Sequence, residues 1–324
     1  MLSLPWLLTV LTLPIFSTAH PTTPLTDPIQ PPLIIWHGLG DSFERAGLQE
    51  VAALAETTNP GTYVHLIRLG ESGEADQRAT FVGNVTEQVS EVCAQISADP
   101  ILRTAPYVNA LGFSQGGQFL RGYVERCNAP RVRNLVTFGS QHNGITGFQA
   151  CGTWDWLCRG AEAVLGAGKW STLAQGRFVP AQYFRDPADM EGYLSNSNFL
   201  ADINNERARK NGTYRENMKG LNRLAMYMFE EDSMVHPKET AWFAEVNGTS
   251  GKVTPLDERP LYKEDWLGLK TLGELGRLDF MTAPGDHMQL SQELLEETFR
   301  QYFGPVAHDA SQGRDRALIN QPGY

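Results

Sequence analysis

The stretch Asn109–Cys127, NALGFSQGGQFLRGYVERC, decides the fold. Its first part belongs to an apolar run, Tyr107–Phe113, that reads as a short buried strand. Its last part, from Gln115, has the composition of a helix. Between them stands Gly112-Phe113-Ser114-Gln115-Gly116, a G-x-S-x-G pattern. The pattern alone is weak, because ordinary Gly and Ser usage supplies roughly 0.1 copies by chance in a chain this long. Its context is specific. A nucleophilic serine on a parallel sheet needs a tight strand-to-helix turn that lifts the hydroxyl above the strand end. Glycines at the flanking positions remove the Cβ atoms that would collide across that turn. The helix then aims its first amides at the place where an oxyanion forms. The competing reading is a serine capping an ordinary helix.

Working outward, the same alternation recurs on both sides. Leu33–Trp36 is a buried strand entering the glycine turn His37-Gly38-Leu39-Gly40. Residues 47–58 have helical spacing. TYVHLIRL (62–69) is β-branched and apolar. Val82, Val85, Val89, Val92 and Ile96 recur at three- and four-residue steps, which predicts a helix within 80–99. VRNLVTFG (132–139) is the next strand. Strands alternating with amphipathic helices imply an α/β fold, a mostly parallel sheet with helices on both faces. The rhythm breaks over about 140–222, a segment rich in aromatics and glycines that reads as a cap insertion. It resumes with a strand at 224–231, a helix in KETAWFAEV (238–246), a last strand at 277–283 and a last helix in 287–304. The expected organisation is one domain over 33–304 with that insertion, preceded by an extended Pro/Thr-rich lead-in (20–32) and followed by a polar, loose tail (305–324).

The chain has 324 residues and a net charge of -10, from 27 basic and 37 acidic side chains. No basic run is present, so a phosphate backbone would be repelled and nucleic acid is excluded as a partner. Residues 1–19 read as a secretory signal peptide ending in Ser17-Thr18-Ala19, although no Lys or Arg precedes the apolar run Leu4–Phe16. That run is too short to span a bilayer, which needs about 20 residues. No later stretch qualifies, so no transmembrane segment is expected. Cys93, Cys127, Cys151 and Cys158 form an even set. Cys151 and Cys158 flank a loop that one bridge can close, and Cys93 and Cys127 lie near helix ends. No pair has zinc spacing. In an exported chain the sequons at Asn84, Asn211 and Asn247 become glycosylation candidates. No metal or organic cofactor is implied.

A serine needs a base, and in this fold the order is serine, acid, histidine, the last two after late strands. His287, in TAPGDHMQL between the last strand and last helix, occupies the base position. His20, His65 and His308 are badly placed, and His142 reads as a loop or supporting histidine. Glu230, Glu231 and Asp232 follow the strand where the acid belongs. Asp232 is preferred, since a residue just beyond the strand end can turn inward, with the two glutamates as alternatives. The turn after the first strand offers a second oxyanion donor, the Leu39 amide, beside that of Gln115.

The motifs LIIWHGLGDS, GFSQGGQFLR, VRNLVTFGSQHNGITG, FLADINNER, EDSMVHP, EDWLGLK and GDHMQLS together resemble the palmitoyl-protein thioesterase family of soluble lysosomal α/β-hydrolases. The resemblance runs from about Leu33 to Gly304. It implies a Ser114, Asp232 and His287 triad, which selects Asp232 among the acids. It also implies Leu39 and Gln115 as the oxyanion hole, and Cys93–Cys127 and Cys151–Cys158 bridges. Two departures stand out: Phe43 and Glu44 replace a further cysteine pair, and His236 stands where the family usually has Asp. The implied reaction is removal of long acyl chains from S-acylated cysteines in proteins or peptides. The acyl groove is expected in the 140–222 insertion. A secreted lipase or carboxylesterase acting on oxygen esters is the rival reading. Location in a lysosomal or vacuolar lumen, rather than outside the cell, rests on the resemblance.

Overall fold

The computed structural model describes residues 28–147 and 168–306. The N-terminal apolar run, Cys151, Cys158 and most of the polar tail lie outside the described residues.

Six parallel strands form the main sheet: β1 (Leu33–Trp36), β2 (Val64–Leu66), β3 (Val108–Phe113), β4 (Val132–Phe138), β5 (Arg223–Phe229) and, after a short two-stranded ribbon of β6 (Glu245–Val246) with β7 (Val253–Thr254), β8 (Leu278–Ala283). Their spatial order is β2-β1-β3-β4-β5-β8. Strand side chains alternate between two cores, as period-two geometry requires. Leu33, Ile35, Leu111, Phe113, Val136, Phe138, Tyr227 and Phe229 face one core, closed by α1 (Ala46–Thr58) and the last helix, Gln292–Phe303. Ile34, Trp36, Val108, Ala110, Leu135, Leu224 and Met226 face the other. That face is covered by α3 (Val85–Ala98), α4 (Gln115–Arg126) and a later helix, Gly212–Lys219. A short helix, α2 (Gly73–Ala79), precedes α3. Cys93 and Cys127 are bridged, with their Cα atoms 6.1 Å apart, and tie α3 to the far end of α4.

The insertion supplies five short helices among the described residues: α5 (Thr172–Arg177), α6 (Val179–Gln182), α7 (Met190–Asn196), α8 (Leu200–Ile203) and α9 (Gly212–Lys219). Its aromatics pack inward. Phe199 stands edge-on to Phe119 of α4, and Trp170 edge-on to Phe184. Beneath them lies a buried polar knot. Arg121, fully buried, pairs with Glu125 at 2.9 Å and donates to Asn204 Oδ1 and to the carbonyls of Ile203 and His142. The FLADIN and GGQFLR motifs therefore meet at one side chain. Burial lowers the His142 pKa well below its ordinary value, and Arg121 adds to the shift. His142 stacks on Phe243 and contacts Thr137 Oγ1, a supporting position away from Ser114.

Three expectations need correction. KETAWFAEV is not an α-helix. Residues Lys238–Trp242 form a 3-10 turn, Phe243 turns left-handed at φ 59°, and Glu245 enters β6. Asn143 and Arg259 capture the carbonyls of Ala244 and Phe243, so tertiary hydrogen bonds override local helix preference. In 287–304 the helix begins only at Gln292, capped by Ser291; we label it α12, after α10 (Pro260–Lys263) and α11 (Leu269–Glu274). TYVHLIRL contributes only three strand residues, Val64–Leu66, paired with Leu33–Ile35 of β1 at the sheet edge.

Candidate active site

Ser114 occupies the N-cap position of α4 but caps nothing with its side chain. Its backbone sits at φ 50° and ψ -126°, a strained conformation for a non-glycine residue. Close packing enforces the strain. A Cβ on Gly112 would lie 2.1 Å from the Gly117 Cα, and one on Gly116 would lie 2.3 Å from the Trp36 carbonyl oxygen. The Ser114 carbonyl accepts hydrogen bonds from Ser140 Oγ at 2.7 Å and the Gly117 amide at 3.2 Å. The hydroxyl is thus lifted off the strand end and aimed elsewhere.

It meets His287. The Nε2 atom lies 3.1 Å from Ser114 Oγ, and Nδ1 lies 2.8 Å from Asp232 Oδ2. The other oxygen of Asp232 accepts from the Met234 and Val235 amides at 3.0 and 2.8 Å. Asp232 is 7% exposed, whereas Glu230 and Glu231 are exposed to solvent, so only Asp232 turns inward. The three residues come from the ends of β3, β5 and β8; β4 lies between β3 and the neighbouring pair β5 and β8. A strand–turn–helix serine, with acid and histidine following in that order after late strands, is the α/β-hydrolase arrangement.

The two loops bearing Asp232 and His287 are stitched together. The Glu230 and Glu231 amides donate to the Ala283 and Gly285 carbonyls. Asp286 then accepts from the Ser233 amide and hydroxyl, both at 2.8 Å, and from the His287 amide at 2.6 Å. The His287 amide, then the Ser233 amide and hydroxyl, hold the Asp286 carboxyl below its ordinary pKa.

Gly38 packs against the serine, since a Cβ there would be 3.0 Å from Ser114 Cβ. The Leu39 and Gln115 amides donate to no other group among the described residues. His37 is buried under the turn, 2.8 Å from Asp76, which also accepts from the Phe43 and Leu69 amides. Burial pushes the Asp76 carboxyl up, but the His37 contact and the two amides outweigh it and leave it below the usual range.

A cleft of about 830 Å³ opens at Ser114, His287 and Leu39. Leu48, Val51 and Leu54 of α1 form one wall, and Met288, Leu290 and Leu295 the other, over Phe113. The cleft follows α1 from Gly47 to Thr57, a rise of about 15 Å. The sequence placed a groove in the 140–222 insertion, and the described part of that segment contributes little to this cleft. Among the described residues the insertion lends the cleft only Gln141, Ile145 and Tyr183, while its other aromatics are spent on internal packing. No group of three or more metal-binding side chains occurs among the described residues.

A family model described as palmitoyl protein thioesterase matches residues 32–287. The chain belongs to the palmitoyl protein thioesterase family. Relatives in the family include palmitoyl-protein thioesterase 1 of Caenorhabditis elegans, 40% identical over 277 residues, covering 85% of this chain and 92% of that one. Palmitoyl-protein thioesterase 3 of Dictyostelium discoideum is 33% identical over 273 residues, covering 84% and 89%. Lysosomal thioesterase PPT2 of Rattus norvegicus is 29% identical over 245 residues, covering 74% and 76%.

Of the sequons, Asn211 and Asn247 are exposed, and their side chains engage only through Oδ1, which accepts from the Thr213 amide and from the Thr249 and Ser250 amides. Asn84 is half-buried at the start of α3, where Asn198 and Glu87 crowd its amide. His236 is exposed, and its carbonyl accepts from the Thr146 amide.

Proposed function

We propose that this chain hydrolyses long-chain acyl thioesters of cysteine in proteins or peptides, with Ser114 as nucleophile, His287 as base and Asp232 as its orienting acid. The observation that carries the reading is the Ser114–His287–Asp232 relay at the head of an apolar cleft. Asp232 accepts from His287 Nδ1, which leaves Nε2 unprotonated and facing the serine. Ser114 Oγ attacks the thioester carbonyl as Nε2 takes its proton. The Leu39 and Gln115 amides receive the oxyanion. The tetrahedral intermediate expels the cysteine sulfur and leaves an acyl-serine. A thiolate with a pKa near 8.5 needs little help in leaving, and the imidazolium returns the proton. Water, deprotonated by His287, then attacks the acyl-serine, releasing the fatty acid and restoring Ser114. The walls from α1 and the 288–295 segment suit an acyl chain.

Turnover of a palmitoyl thioester and labelling by a fluorophosphonate are both expected to vanish in Ser114→Ala. Survival of either overturns the nucleophile assignment. Clear preference for a matched oxygen ester would overturn the substrate class in favour of a carboxylesterase.

The Cys93–Cys127 bridge fits an oxidising compartment. The apolar N-terminal run and the lysosomal name of a relative support a lumenal, lysosome-like destination. We assign glycosylation to Asn211 and Asn247 and not to Asn84. Peptide mapping that finds a glycan on Asn84 would refute the exclusion.

A further inference from the structure

Helix α2 and the residue after it touch none of the cleft, yet they grip both segments to which the oxyanion donors belong. Gly40, next to Leu39, is held at both ends. Its amide donates to Thr80 Oγ1 at 2.9 Å, and its carbonyl accepts from Gln77 Nε2 at 2.7 Å. The Thr80 hydroxyl spends its single proton on the Gln77 carbonyl, 2.6 Å away. On the other side, the Thr80 carbonyl accepts from Gln115 Nε2 at 3.2 Å, and Gln115 Oε1 accepts from Tyr183 at 3.1 Å. Thr80 is 2% exposed, so water does not replace these partners. One residue thus joins the Gly38–Gly40 turn to the first residue of the nucleophile's helix.

We propose that Thr80 is a positioning residue that fixes the spacing of the two oxyanion-binding amides, acting through Gly40 and Gln115. The inference rests on the oxyanion-hole reading above. Gly40 sits at φ 78°, where no Cβ restrains the backbone, so the hydrogen bonds must. Without the Thr80 acceptor the Leu39–Gly40 peptide loses its tether, and the adjacent Gly38–Leu39 peptide that carries the donor loses the support beside it. Oxyanion donors act only when aimed at the developing charge, so small misalignments reduce rate without weakening ground-state binding.

The test is steady-state hydrolysis of a palmitoyl thioester of a short cysteine peptide by Thr80→Val and Thr80→Ser, with thermal unfolding measured on each. Valine keeps the shape and removes the hydroxyl; serine keeps the hydroxyl. We expect Thr80→Val to lower kcat about tenfold with KM unchanged, less than the ~10²–10³ lost when an oxyanion donor is deleted. Thr80→Ser should stay within about twofold of wild type, since it preserves the bond. Wild-type kcat in Thr80→Val, equal losses in both variants, or a loss confined to KM would each overturn the proposal. If Thr80→Val does not fold, Gln77→Met, which frees the Gly40 carbonyl, reports instead: a lowered kcat at unchanged KM supports the bracket, and a wild-type kcat overturns it. An inactive Ser114→Ala beside a fully active Thr80→Val would sink this inference alone, whereas an active Ser114→Ala would sink the mechanism beneath it.

Discussion

The elbow that carries Ser114 and the loop pair that carries Asp232 and His287 hold their residues by different physics. The elbow is a matter of volume. Gly112 and Gly116 pack backbone against backbone, and Gly117 packs against the side chains of Thr137 and Ser140. The loop pair is a matter of polarity. It follows the ends of β5 and β8, half open to solvent, and is stitched by amides, a serine and two carboxylates. A buried elbow tolerates changes of pH and no added atoms. An exposed stitched loop tolerates added atoms and answers to charge.

The largest expected effect tests the polar side. Asp232→Asn should leave the fold intact and lower kcat by about 10⁴, because the amide favours the wrong imidazole tautomer. A loss below tenfold would mean that another group orients His287. Next comes the volume side. Gly116→Ala should destabilise the protein by about 3 kcal/mol or more, since its Cβ would strike two backbone carbonyls that cannot move aside. Thermal unfolding at wild-type temperature would show that the elbow is looser than described.

Asp286→Asn sharpens the contrast. It should lower kcat by up to about tenfold while moving the unfolding temperature little, as Asp286 is only half-buried, in a loop. The sign of its pH dependence follows from its depressed pKa. Its support is fully present above the ordinary value of 3.8 and is lost only as pH falls through the lower folded value. The wild-type loop pair should therefore keep its activity in mildly acidic solution as far as Asp286 governs it. A loss of kcat between pH 6 and 4.5 that disappears in Asp286→Asn would contradict this. The smallest effect is a control: Gly176→Ala, in α5 with open space around it, should stabilise by about 0.5–1 kcal/mol.

The same division explains what the sequence made legible. The elbow could be read because volume constraints write themselves as glycines at fixed offsets beside an apolar strand. The placement of His287 beside Ser114 could be read from order and position. Asp232 needed the family resemblance, because two glutamates precede it and only burial separates them. Helix α2 escaped altogether. Its buried positions are Gly73 and Asp76, so it has no apolar stripe for periodicity to detect. Its signals were polar ones, Ser72 capping the Ala75 amide and Glu74 and Asp76 in the first turn. The α1 wall of the cleft was not legible for a related reason: in the described part of the 140–222 segment Tyr193, Phe199 and Phe184 fill the core, and the aliphatic face of α1 that lines the cleft is not distinguished from core by composition.

The sheet order also has a consequence for synthesis. Ser114 stands on β3, which pairs with β1 and β4, all complete by residue 138. Asp232 follows β5, and His287 follows β8, the edge strand and last to leave the ribosome. A growing chain therefore makes the proposed nucleophile long before the proposed base. On the proposed mechanism the serine stays an unactivated hydroxyl until β8 docks against β5, so a nascent or truncated chain carries no armed hydrolase while it folds.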